Sequence, residues 1–176
     1  VTWSASPTTG IAVTGSGSSY TVSVSKDAAQ RFSKDDRAKK TVTLTATYDG
    51  KAMTQTAELT LKLADAVVTT VQLNGDNSIM IPKTVGSVNT KTYTVTVFDQ
   101  YGFELPDKAK NATYTFTAAD ANVTCTGYGS DNESKAGAAE VKVSYGATAK
   151  SYTLVATVES KDSTAKTIEV KDKTED

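Results

Sequence analysis

Through most of the chain, apolar and polar side chains alternate with a period of two. In Tyr20-Thr21-Val22-Ser23-Val24 the apolar groups fall on one face and the hydroxyls on the other, and the same alternation runs through residues 42–48, 59–63, 93–98, 114–116, 141–143 and 152–158. A period of two sends successive side chains to opposite faces of a strand. The pattern therefore predicts strands with one buried and one wet face. That is the arrangement of an antiparallel sandwich, not of a parallel α/β sheet, whose strands read as continuous apolar runs. The chain carries 30 threonines and is rich in Val, residues whose β-branch suits a pleated surface better than a helix. Turn residues separate the runs at Asp49-Gly50, Asn74-Gly75-Asp76-Asn77, Tyr101-Gly102 and 127–132. Within residues 26–40, Ala28, Ala29, Phe32 and Ala38 sit among charges, which reads as a loop with a helical turn packing Phe32 down.

The alternating blocks recur at about 110 residues. Residues 43–48 (TLTATY) match 153–158 (TLVATV), each followed by a polar turn and a final strand. Upstream, Thr2-Trp3-Ser4-Ala5 matches Thr115-Phe116-Thr117-Ala118, residues 11–15 match 123–127, and 20–24 match 139–143. The later copy has two leading strands, 67–73 and 90–98, for which the earlier copy has no counterpart. The sequence thus predicts an all-β chain of two tandem antiparallel β-sandwiches, the first lacking its N-terminal strands. Residues 1–64 form the first, 65–172 the second, and 173–176 a tail or the start of a further linker. The core is expected to include Trp3, Leu44, Phe116 and Leu154. The chain opens at Val1 inside a strand, which reads as a piece of a longer protein. Ala64-Asp65-Ala66 has no Pro, Gly or Ser run, so a short, stiff, head-to-tail connection is expected.

Charge and composition narrow the chemistry. Nineteen Lys and Arg nearly balance twenty Asp and Glu, for a formal charge of -1, which offers no field to draw nucleic acid or an anionic membrane. No run approaches the ~20 apolar residues of a membrane-spanning helix. The chain has no His, which removes the commonest general base and metal ligand and any imidazole-based triad. Cys125 is the single cysteine; it has no partner for an intrachain disulfide and reads as a small hydrophobe on a strand.

Val1-Thr2-Trp3-Ser4-Ala5-Ser6, residues 95–102 (VTVFDQYG) and residues 41–47 resemble segments of the bacterial immunoglobulin-like ("Big") domains of surface-layer proteins, intimin-like adhesins and multimodular glycan-degrading enzymes. Val1-Thr2-Trp3-Ser4-Ala5-Ser6 is similar to that family's VTWSSS strand. Residues 95–102 (VTVFDQYG) are similar to its V-x-D-Q-Y-G strand and turn, and residues 41–47 to its late T-I-T-A-T strand. Phe116 stands where the family usually has Trp, and residues 120–135 depart from its consensus. The resemblance implies that the two tandem antiparallel β-sandwiches are immunoglobulin-like, with a Trp packed in a sandwich core, and that the location is extracellular, at the cell surface or wall. It also implies a non-catalytic role as spacer, assembly or adhesion module. The expected partners are neighbouring domains of the same polypeptide or lattice subunits. An alternative is an accessory, glycan-contacting module of an extracellular polysaccharide-degrading enzyme.

Two surface features carry rival readings. At the Asp99-Gln100-Tyr101-Gly102 turn, Asp99, Gln100 and Glu104 offer oxygen ligands for calcium, with Asp65 adding a carboxylate in the linker. The other reading is a strand-ending turn in which Gly102 supplies the backbone angles. Tyr101 and Phe103, with Tyr128, could stack on a sugar; alternatively they cover the end of the sandwich. No carboxylate pair with a supporting polar constellation is apparent, and no catalytic residue is assigned.

Overall fold

The computed structural model describes residues 1–6, 11–16, 19–24, 40–61, 64–117 and 120–172. The helical turn expected within 26–40 falls on residues 25–39, outside the described residues, as does the tail 173–176. The chain divides into two compact units, Val1–Ala66 with Tyr101–Phe103, and Val67–Gln100 with Glu104–Asp176.

In the first unit β1 (Thr2–Ser6), β4 (Lys40–Tyr48) and β5 (Lys51–Leu61) form an antiparallel sheet in the order β1-β4-β5. β2 (Ile11–Ser16) and β3 (Ser19–Val24) form an antiparallel pair. Their inward residues meet: Ala5, Ile11, Val42 and Leu44 are buried together, with Val13, Val22 and Leu59 packed against them. Leu44 is 1 % exposed.

The second unit is an immunoglobulin-like sandwich. One sheet runs β10 (Val123–Gly127), β11 (Ala138–Ser144), β8 (Val88–Asp99), β6 (Val68–Asn74), all antiparallel. The other is centred on β12 (Lys150–Val158), which pairs β9 (Thr113–Phe116) on one side and β13 (Lys161–Asp162) and β14 (Lys166–Lys171) on the other. β7 (Ser78–Met80) adds to β14 in parallel, a pairing the alternation did not foretell. Both sheets supply the core: Tyr93, Val123, Val141 and Val143 from one meet Tyr152, Leu154, Ile168 and Val170 from the other. A one-turn helix, α1 (Pro106–Ala109), follows β8 with proline in its first turn, where no backbone donor is needed. Gly75 lets the turn after β6 pass close to Tyr93; a Cβ there would lie 2.4 Å from the ring.

The repeat holds at the level of register. Val24 faces Ile11 as Val143 faces Val123, and Tyr20 faces Gly15 as Ala139 faces Gly127. Both β4–β5 and β12–β13 close through two residues of positive φ, Asp49-Gly50 and Glu159-Ser160, the hairpin geometry that matches strand twist. The leading strand requires a correction. Trp3 pairs with Ala46, and the equivalent Ala156 pairs with Tyr114, so Trp3 corresponds to Tyr114 and Ala5 to Phe116, not Trp3 to Phe116. A slip of two residues keeps every side chain on its face, so alternation alone does not detect it. Among the described residues the first unit has no counterpart of β6, β7 or β8.

Candidate functional site

The four expected core residues take different positions. Leu154 is fully buried and Leu44 nearly so. Phe116 is half-buried and stacks on Tyr152 with ring centroids 5.6 Å apart. Trp3 is half-buried, and its ring lies 4.5 Å from that of Tyr20.

The residues named for ligand contact lie at the end of β8. Asp99 is buried and Tyr101 and Phe103 are half-buried, whereas Asp65 is exposed. Tyr101 and Phe103 belong to the first compact unit, where the Tyr101 hydroxyl accepts a hydrogen bond from the Ala64 amide at 3.1 Å. In the second unit, Gln100 Oε1 accepts from the Val67 amide at 2.8 Å, satisfying a donor at the start of β6. The turn thus uses polar atoms to hold backbone. No group of three Asp, Glu, Cys or His close enough to hold a metal ion occurs among the described residues.

The third aromatic, Tyr128, lies in a cluster that linear spacing did not reveal. Its hydroxyl donates to Glu140 Oε2 at 2.7 Å, Lys135 Nζ donates to Glu140 Oε1 at 2.6 Å, and the same Nζ lies 4.9 Å from the Tyr128 ring centroid. The Lys135 ammonium and the Tyr128 hydroxyl hold the Glu140 carboxyl below its ordinary range. The cluster secures residues 128–137, whose ends are also tied by the Tyr128 amide to Ala138 carbonyl bond.

Asp120 works in a similar way. Its two oxygens accept from the amides of Asn122 and Thr148, at 2.9 and 2.8 Å, and these bonds lower its pKa. It therefore joins two loops flanking β10 and β11 as a carboxylate.

A cavity of about 410 Å³ opens between β9 and β10, lined by Tyr114, Phe116, Val123, Thr124, Cys125 and Gly127. Burial pushes the Cys125 thiol up to about 11, so it is protonated at neutral pH and a poor nucleophile. Tyr114 crosses the space to donate to the Gly137 carbonyl at 2.6 Å, with its ring against Gly127.

No helix among the described residues is long and apolar enough to cross a membrane. No family model and no curated protein matches the chain. Among solved structures, the chain is similar to the Escherichia coli adhesin FdeC, at 16% identity over 98% of this chain and 53% of that one, with a TM-score of 0.38. It is also similar to domains 5–6 of the S-layer protein SbsC, at 18% identity over 98% of this chain and 81% of that one, with a TM-score of 0.41. This chain spans about half of the FdeC chain it matches.

Proposed function

We propose that this chain is a non-catalytic structural and assembly module of a bacterial cell-surface protein. The observation that carries this reading is the duplicated sandwich itself. The same registers are built twice around apolar interiors, with Gln100 and Asp120 accepting from backbone amides and Glu140 from the Tyr128 and Lys135 side chains. Gln100, Asp120 and Glu140 each accept hydrogen bonds that secure a strand start or a loop. Lys108 pairs with Glu159 at the β12–β13 turn. The resemblance of residues 1–6, 41–47 and 95–102 to bacterial immunoglobulin-like domains supports the surface location.

The test uses antibodies raised against the folded chain. They should label intact cells of the source bacterium, and brief protease treatment of those cells should remove the label. Labelling only after lysis would overturn the surface reading. A glycan array with the fluorescently tagged chain should show no binding; a saccharide hit lost in Tyr101→Ala would overturn the purely structural role in favour of a glycan-contacting one.

A further inference from the structure

In the second sandwich the chain enters and leaves at opposite ends of the strands. It enters at Val68, whose partner Asp99 is the last residue of β8. It leaves at Lys171, whose partner Met80 accepts a bond from Asn89 Nδ2 at 2.8 Å, at the start of β8. Between these points β6 leads through residues 75–77 into β7, and β7 lies beside β14 in parallel. Ser78 pairs with Glu169, Ile79 with Val170 and Met80 with Lys171.

Backbone bonds extend this short ladder at both ends. The Glu169 amide donates to the Asn77 carbonyl at 2.8 Å, and the Ile81 amide donates to the Lys171 carbonyl at 2.9 Å. Ile79, Ile81, Ile168 and Val170 are all buried in the core, so water cannot enter the ladder from that side. The arrangement has a mechanical consequence. Two parallel strands pulled by the start of one and the end of the other slide along each other, and every bond between them resists at once. Strands pulled from a shared end unzip, and their bonds fail singly. Tension along the polypeptide draws β7 toward the Val68 end and β14 toward the Lys171 end, which is the sliding case.

We propose that the β7–β14 ladder is a tension clamp, and that the second sandwich bears force passed along the polypeptide between residues 67 and 172. β7 takes the side of β14 away from β12. The clamp therefore joins the two pulled segments directly and does not transmit force through the core. Resistance of this kind resides in the barrier to unfolding, not in equilibrium stability. That the tension arises in a cell-surface protein is the one clause that rests on the proposed function.

The experiment pulls single molecules of the full 176-residue chain through handles on paired cysteines, with Cys125→Ala removing the native thiol. Handles at Val67→Cys and Asp172→Cys pull along the strands. Handles at Val85→Cys and Asp172→Cys draw β14 from β7 at the end they share, Val85 being 76 % exposed in the segment after β7. The first direction should need a force at least about twofold higher at the same pulling speed, because several bonds resist together. Glu169→Pro deletes the amide donated to Asn77, and Glu169 is exposed, so the core keeps its side chains. This variant should lower the force in the first direction and leave the second unchanged. Equal forces in the two directions overturn the proposal. So does a first-direction force untouched by Glu169→Pro, which would assign the resistance to β6 sliding on β8. The comparison of directions leaves the ladder unaltered, so it decides the proposal even where the proline variant does not fold. Either failure leaves the surface-module reading intact, since that reading falls only on the cell-labelling result.

Discussion

Trp3 and Tyr114 hold the same place in the two sandwiches, Trp3 opposite Ala46 and Tyr114 opposite Ala156. Each lies beside an equivalent pair of the neighbouring sheet, Gly15–Tyr20 in β2–β3 and Gly127–Ala139 in β10–β11. Trp3 meets Tyr20, the partner of Gly15, and Tyr114 packs on Gly127 and reaches the Gly137 carbonyl. The Tyr114 phenol adds a hydrogen bond to the Gly137 carbonyl. Tyr114→Phe should therefore cost about 1 kcal/mol, the net value of one such bond, measured by urea denaturation. No change would mean that the ring alone holds the loop.

Tyr93 is fully buried, and its hydroxyl has no hydrogen-bond partner among the described residues. An unsatisfied buried hydroxyl is a cost, so Tyr93→Phe should stabilise the chain by about 1 kcal/mol at neutral pH. Burial raises the Tyr93 phenol to about 12. Because the folded value lies above the unfolded one, the neutral phenol's contribution is complete below pH of about 10 and is lost as pH rises toward 12. Thermal melts across that window should show a shallower decline in Tyr93→Phe than in the parent chain.

The turns of the two equivalent hairpins differ in one informative residue. Gly50 has φ 72° in the first, and Ser160 has φ 65° in the second. A left-handed backbone costs a non-glycine residue about 1–2 kcal/mol, part of which glycine returns through its freer unfolded chain. Ser160→Gly should raise stability by about 0.5 kcal/mol, read as a higher urea midpoint with unchanged slope.

Leu44 and Leu154 are equivalent buried residues in cores of unequal extent. Leu154→Ala opens a cavity between two complete sheets and should cost about 2–5 kcal/mol. Leu44→Ala should cost less, since the buried cluster around it is smaller among the described residues. Equal losses in denaturant titrations would indicate that the first core is as rigidly enclosed as the second.

The Glu140 carboxyl is held low first by Lys135 and then by the Tyr128 hydroxyl. A depressed folded value means that its contribution is present above the ordinary glutamate range and disappears as pH falls through the lowered value. Glu140→Gln should flatten the acid limb of the stability profile and quicken amide exchange in residues 128–137. An unaltered acid limb would assign the pH dependence to other carboxylates, with Asp120 the next to vary.

The strands were legible because alternation is a direct imprint of a half-buried sheet. β12 buries Tyr152, Leu154, Ala156 and Val158 in strict alternation. The same periodicity explains the error at β1: matching Trp3 with Phe116 keeps both residues inward, and only cross-strand partners separate that choice from Tyr114. β7 and α1 were missed because three and four residues are too short for any period to register. At the candidate sites the turn at 99–102 could be located, but not the acceptor roles of Gln100 and Tyr101, which depend on which amides the fold delivers to them. The Tyr128–Lys135–Glu140 cluster needed the β11 register to become visible. Nothing in its linear order sets it apart from other polar residues.

The pairing of β7 with β14 has a consequence for how the chain is made. Ile79 finds its partner in Val170, 91 positions later (170 minus 79), and β8 likewise awaits β11. Contacts so distant in sequence form slowly, because a long loop must close before any stabilisation is gained. During synthesis the second sandwich stays open until its final strand leaves the ribosome. A chain crossing a membrane in an extended state would meet the same condition on the far side, where arrival of residues 166–171 becomes the event that allows closure.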